Sequence, residues 1–365
     1  MKKLAALYFI FVTLYWLPAI LLNWGSYGAY DDPAPLGYKL LRVAIPIIAL
    51  VALYLQPRFN YRDMLYFAFF NWAILTSLFD ISTVISLVIF SSTILFIERI
   101  NFSKINIDKL LFLLLPVFYC VGLFEVLGLL KSAHSYGEEL RVVSTFGGPN
   151  NSGVIFGCFS VYFATTLKKK FNTFSFINFL LCVAFLFLSG SLSAIISFSV
   201  VLAFIFPKII FFAPVVLIPI LFINDFFLLK INYLVYAVSG AGETTGSFSD
   251  RLENFSYILA TISSDPVNFL FGMDTTSESD FFGTLGRFGV IGLILLLTTI
   301  STLPKNRYLY LGLLQSLITP FLFSFPSFQV IIFFAFLHAQ KYSRLCSTCR
   351  NSHVMQHTST SLERI

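Results

Sequence analysis

Three arginines and a few carboxylates stand where so apolar a chain would ordinarily carry none. Arg141 opens the stretch RVVSTFGGPNNSG, Arg251 opens RLENFSYILATISS, and Arg287 lies within SDFFGTLGRFGVIG. A guanidinium presents a rigid fork of donors that matches phosphate oxygens bidentately. Two of them on separate segments, Arg141 and Arg251, read as a clamp for a diphosphate or another acidic head group. After Arg141, Gly147, Gly148 and Pro149 turn the chain, and Asn150, Asn151 and Ser152 suit the cap of a following helix. Helix N-termini attract anions, so Asn150 joins Arg141 in that reading; a plain loop with a capped helix start is the alternative. Glu138 and Glu139 precede Arg141, and Asp274, Glu278 and Asp280 precede the apolar run that starts at 283. Such carboxylates can accept a proton in a reaction or simply be solvated. Arg287, between Gly283, Gly286 and Gly289, is an ionisable group at the edge of an apolar zone and a functional candidate on that ground. The argument extends to Arg42, Glu125 and Asp80.

What must position these residues is a membrane domain. The chain of 365 residues is 57% hydrophobic and 12% charged, with a mean hydropathy of +0.84, against about a quarter charged in soluble proteins. Apolar runs of spanning length recur, and the alternation of a β-barrel is absent, so the fold class is an all-α polytopic membrane protein. The net charge of +6 is scattered between apolar runs, which argues for membrane topology and against a nucleic-acid partner. Walker A, Rossmann and HExxH patterns are missing, and we expect no cofactor and no metal. Cys120, Cys158 and Cys182 lie in apolar runs as packing residues. Cys346, Cys349, His353 and His357 imitate ligand spacing, but the pairs stand too close together for a usual zinc fold.

Twelve spans are expected, at 4–22, 39–56, 64–79, 81–97, 110–130, 152–167, 173–189, 191–206, 208–223, 283–303, 308–323 and 326–340. The first follows Met-Lys-Lys and reads as an uncleaved span rather than a signal peptide. With the N-terminus cytoplasmic, 17 of the 24 Lys and Arg residues fall inside, as the positive-inside rule requires. The seven outside are Lys39, Arg42, Lys131, Arg141, Lys230, Arg251 and Arg287. Both termini are then cytoplasmic, residues 1–340 form one membrane domain, and 341–365 form a disordered cytoplasmic tail. Two long outer loops, about 131–151 and 224–282, carry the candidate chemistry. In the second, Asp250 and Glu253 form a capping box for an amphipathic helix over 251–263, with Leu252, Phe255, Ile258, Leu259 and Ile262 on one face. Arg251 in its first turn opposes the helix dipole by about 0.3–1 kcal/mol, which an anion ligand or solvation would offset.

These segments resemble the O-antigen polymerase and ligase family. The resemblance rests on Arg141 with STFGGPNNSG, on LSGSLSAIISF at 188–198, on Arg251 with its helix ending at DPVNFLFG, and on SDFFGTLGRFGVIG at 279–292. It covers about 140–300, and the order of the motifs matters more than any one of them. Leu192 replaces an arginine common in the family's hairpin, and Gly148 replaces the usual residue before Pro149-Asn150. The resemblance implies a metal-independent glycosyltransferase at the periplasmic face of a bacterial inner membrane. Its substrates would be oligosaccharide repeat units on undecaprenyl diphosphate, and a chain-length regulator would be a partner. Arg141, Arg251, Arg287 and Asn150 would bind the diphosphate, and Asp280, Glu139 or Glu138 would be the base. The family's ligases have a histidine in the last large loop; 224–282 has none, which favours a polymerase over a ligase. A flippase for the same lipid is the competing class, but its charges would line a central cavity, whereas these cluster in outer loops.

Overall fold

The computed structural model describes residues 2–22, 41–57, 59–76, 81–102, 105–130, 135–136, 139–208, 247–273, 279–319 and 321–341. Among them regular structure is helical, apart from one antiparallel hairpin, β1 (Ser135–Tyr136) and β2 (Glu139–Leu140). The helices are α1 (Lys2–Leu14), α2 (Leu17–Leu21), α3 (Ala44–Leu55, entered through a 3-10 turn at Leu41–Val43), α4 (Tyr61–Thr76), α5 (Ile81–Glu98) and α6 (Ile107–Val126). Then come α7 (Pro149–Lys169), α8 (Thr173–Leu188), α9 (Leu192–Ile205), α10 (Ser247–Ser264), α11 (Pro266–Phe271), α12 (Asp280–Ser301), α13 (Arg307–Ser316) and α14 (327–341). Lys3–Leu21, Ile107–Val126 and Asp280–Ser301 are long and apolar enough to cross a membrane, and four shorter apolar helices accompany them. The outward faces display Leu50, Tyr54, Phe112, Leu113 and Phe204, which suits a helical protein with a bilayer around it. The expected span 208–223 lies outside the described residues beyond Lys208, as do Asp80, Glu138, Asp274, Glu278 and the tail from 342.

The core is built around α7. Thirteen of its residues are buried, from Pro149 through Ala164, so it is wrapped on most sides rather than split into two faces. Small residues let neighbours close in: a Cβ on Gly153 would crowd Ser189, Ser191 and Ala194. Aromatic rings fill the remainder, Phe156 stacking on Phe185 at 5.2 Å and Phe118 on Phe159 at 6.0 Å. At one end of the bundle Lys168 donates to Ile205 O at 2.6 Å, Arg307 to Thr165 at 2.9 Å, and Gln340 pairs with the backbone of Ile100 and Phe102. There Arg99 also binds Asp63 at 3.1 Å, both side chains buried. The opposite end holds the start of α7, the α8–α9 turn and the segment after α13.

Helix boundaries agree with the hydropathy pattern in most places and break from it in three. The first apolar run is interrupted at Tyr15 and Trp16, because Pro18 in the opening turn of α2 has no N–H to continue the ladder. The run at 308–323 forms a helix only to Ser316; Phe321 and Leu322 are fully buried but non-helical. Apolarity there reports burial, not helicity. The amphipathic helix expected from 251 begins at Ser247. Of its expected face, Ile258 and Ile262 are buried and Phe255 stacks on Phe282 at 4.3 Å, while Leu259 is half exposed. Arg251 lies in this helix, its side chain and that of Leu252 outside the described residues.

Within α12, Gly289 takes φ +68°, a conformation that disfavours any side chain, and a Cβ there would strike the Leu270 carbonyl. The kink frees carbonyls that the fold re-satisfies: Met273 N–H donates to Gly286 O at 2.7 Å and Trp72 Nε1 to Phe288 O at 2.9 Å. Leaving a buried acceptor unpaired costs about 1–3 kcal/mol. Trp72→Phe should therefore lower stability by about that amount in detergent-solubilised unfolding, whereas Thr298→Ala on the exposed side of α12 should change it by no more than about 0.5 kcal/mol. Equal effects would show that the kinked carbonyl does not depend on Trp72.

Candidate functional site

The segment between β2 and α7, read as an outer turn, is folded into the protein: Val142, Val143, Ser144, Thr145 and Phe146 are each 0% exposed. Non-helical backbone at such depth needs partners, and side chains supply them. The Glu125 carboxylate accepts the N–H groups of Val143 at 2.9 Å and Ser144 at 2.8 Å. Ser144 Oγ donates to Phe118 O at 2.9 Å, Thr145 Oγ1 donates to Thr13 O at 2.8 Å, and Val142 N–H donates to Leu188 O at 3.0 Å. Ser144 is held at φ +50°, a strained conformation for a non-glycine residue that persists only when its surroundings over-determine it. Gly147 is required where it stands, since a Cβ there would overlap the Trp16 indole.

Arg141 locks this segment to the α8–α9 turn. Its Nε donates to Ser189 O at 3.1 Å, and Nη2 donates to Gly190 O at 3.2 Å and to Asn150 Oδ1 at 3.4 Å. Ser189 is the C-cap of α8, so the guanidinium sits where a helix dipole favours a cation. Asn150 Oδ1 also accepts from Ser191 Oγ at 3.1 Å. Arg141, Asn150 and the 189–191 turn thus form one knot. A line of polar side chains continues from it: Ser191 to Ser193 at 3.3 Å, Ser193 to Thr319 at 3.3 Å, and Gln315 donating to Ser193 at 2.8 Å and to Thr319. The sequence reading missed Ser193, Gln315 and Thr319; Gln315, fully buried in an apolar run, was the available signal.

The asparagines of α7 do not cap it. Gly148 is the N-cap and no side chain caps the helix. Proline at the first position, with no N–H of its own, carries the chain into the helix, and the asparagines point across to neighbouring segments instead. Asn151 donates to Phe146 O at 3.3 Å and Phe325 O at 3.2 Å and accepts from Ser327 Oγ at 2.6 Å. Beside it, Arg42 lies over the rings of Trp16 at 4.8 Å, Tyr15 at 5.3 Å and Phe325 at 5.4 Å, a cation–π nest.

Asp280 is buried at the start of α12. Its Oδ2 accepts the N–H groups of Phe321 at 2.6 Å and Leu322 at 2.7 Å, the role Glu125 plays for Val143 and Ser144. It is therefore engaged in holding the segment after α13, next to the polar line at Thr319. Arg287 bonds to Thr83 of α5, on the side of α12 where Trp72 and α11 pack, away from the partners of Arg141. Glu139 sits in β2 with its side chain outside the described residues. The structure brings Arg141 and Asn150 together, joins them to the 188–198 segment, and gives Arg287 a different neighbourhood. Among the described residues no group of three metal-ligating side chains gathers.

Comparison of the chain with protein-family models, curated proteins and solved structures gives no match.

Glu125→Ala would orphan two buried N–H groups at about 1–3 kcal/mol each, a large share of the roughly 5–15 kcal/mol by which folded proteins are stable. We expect strongly reduced membrane levels and a lower melting temperature in detergent, with Glu98→Ala much milder because Glu98 braces no loop backbone in this way. Wild-type levels for Glu125→Ala would mean that the loop does not depend on this carboxylate.

Proposed function

We propose that the chain polymerises a surface polysaccharide, transferring a growing glycan from undecaprenyl diphosphate to the next lipid-linked repeat unit at the periplasmic face of a bacterial inner membrane. The observation that carries this reading is the knot of Arg141, Asn150 and Ser191. Two segments that separately resemble motifs of one family, 141–152 and 188–198, meet there through hydrogen bonds. In the proposed topology the chain crosses the membrane twelve times with both termini cytoplasmic, and the knot lies at the periplasmic end. The clustering of Arg99, Lys168 and Arg307 at the other end supports that orientation.

In the proposed reaction an acceptor sugar hydroxyl attacks the anomeric carbon of the donor. The new carbon–oxygen bond forms as the bond to the diphosphate breaks, with inversion, and the electron pair leaves with undecaprenyl diphosphate. Arg141 and Arg251 take up the charge of the leaving group. A cation already fixed by the Ser189 and Gly190 carbonyls needs little reorganisation as that charge develops. The hydroxyl proton passes to a carboxylate. Because Asp280 is occupied by backbone N–H groups, we assign it a positioning role and place the base at Glu139 or Glu138. The chain-length regulator would dock on the same assembly, and the α10 helix would border the lateral opening through which the lipid enters.

The test is complementation of a strain lacking the gene, reading envelope polysaccharide on a gel alongside membrane levels. Arg251→Ala and Arg141→Ala should each reduce long chains at least tenfold while one repeat unit still reaches the lipid core. Asp280→Asn should lower the protein level together with the product. Intact ladders from both arginine variants would sink the clamp, and a deletion strain that loses even the single unit would replace the polymerase with a ligase or a flippase.

A further inference from the structure

The end of the bundle away from the Arg141 knot contains a cavity of about 140 Å³ between α7, α13 and α14. That is far more than the roughly 10–15 Å³ that admits a single water. Its rim carries Lys169 from the last turn of α7 and Lys341 from the end of α14, with His338 between them. Arg307, at the start of α13, stands behind the wall and donates to Thr165 Oγ1 at 2.9 Å. Two cations from two helices therefore flank one recess with a third behind its wall, and His338 lies within electrostatic reach of all of them. Thr165, Thr166 and Tyr308 also line the wall, the two threonine hydroxyls donating to Val161 O and Tyr162 O within α7, while Phe334 and Leu337 make its floor apolar. The Asp108 carboxylate reaches this region but is held by the Tyr162 hydroxyl at 2.5 Å.

Lysines at helix C-termini complement the dipole without any ligand, and that alone would explain Lys169 and Lys341. It does not explain why the two lysines, from different helices, flank one open, largely apolar recess with His338 between them. Basic pockets between membrane helices, with cations at the rim and apolar surface below, match a phosphodiester head group whose acyl chains continue along the helices. We propose that this cavity binds a phosphate group, carried by an anionic lipid or by a soluble phosphate compound. The site is separate from the polymerase reading and stands without it.

The experiment uses the full-length protein, purified in neutral detergent and delipidated. Retention of phosphatidylglycerol against phosphatidylcholine is measured by native mass spectrometry, with inorganic phosphate as competitor at matched ionic strength. Phosphatidylglycerol should be retained at least fivefold over phosphatidylcholine. The double variant Lys169→Gln/Lys341→Gln should lose at least fivefold of that retention, and Lys208→Gln, at the same end but outside the cavity, should lose none. Thr166→Leu fills the recess without changing charge and should also abolish retention, which keeps the test open if the double variant does not fold. Retention unaffected by phosphate assigns the site to the lipid; displacement by millimolar phosphate assigns it to a soluble phosphate compound. Equal retention of the two lipids with no phosphate binding, or equal losses in the Lys208 variant and the double variant, overturns the proposal.

Discussion

Every irregular segment buried in this bundle depends on one constraint: backbone N–H and C=O groups removed from water must find partners inside the protein. In an apolar surrounding each failure costs several kcal/mol, so loops at this depth exist only where polar side chains have been placed for them. Glu125 serves Val143 and Ser144, Asp280 serves Phe321 and Leu322, and Arg141 serves the carbonyls of Ser189 and Gly190. Trp72 and Met273 perform the same service at the Gly289 kink. The charged residues of the apolar zone are, in this sense, the means by which non-helical backbone is admitted.

That economy gives the knot at the start of α7 its stiffness. The central helix is clasped on most sides, its first-turn asparagines reach two different loops, and the guanidinium of Arg141 is fixed by carbonyls that cannot move without unwinding α8. A cation held in this way is preorganised, the property that makes a charged group effective toward a ligand whose charge grows during a reaction. The same contacts give Arg141 and Asp280 structural duties, so any effect of their substitution on activity must be read together with its effect on folding.

Hydropathy located most helices because an apolar run and a buried or lipid-facing helix usually coincide. It extended the run at 308–323 too far for the same reason: Phe321 and Leu322 are as buried as helix residues, and a scale of apolarity cannot separate them. The single carboxylates Glu125 and Asp280 were visible as anomalies in apolar surroundings. Whether each was a base, an ion-pair partner or a backbone acceptor depended on what lay opposite, at sequence separations of 18 and 41 residues.

From composition and order alone, the sequence determined a helical chain with apolar segments long enough to cross a membrane, the placement of most of those segments, and the set of polar residues that demand an explanation. Those are local properties, written in periodicity and in the cost of putting charge among apolar side chains. Tertiary structure alone decided that the 141–146 segment is buried, that Asn150 and Asn151 tie loops instead of capping α7, and that Arg287 faces Thr83 rather than the partners of Arg141. Each of these is a pairing between distant segments, and a donor's partner is chosen by the packing that brings an acceptor within about 3 Å, which no stretch of sequence carries by itself.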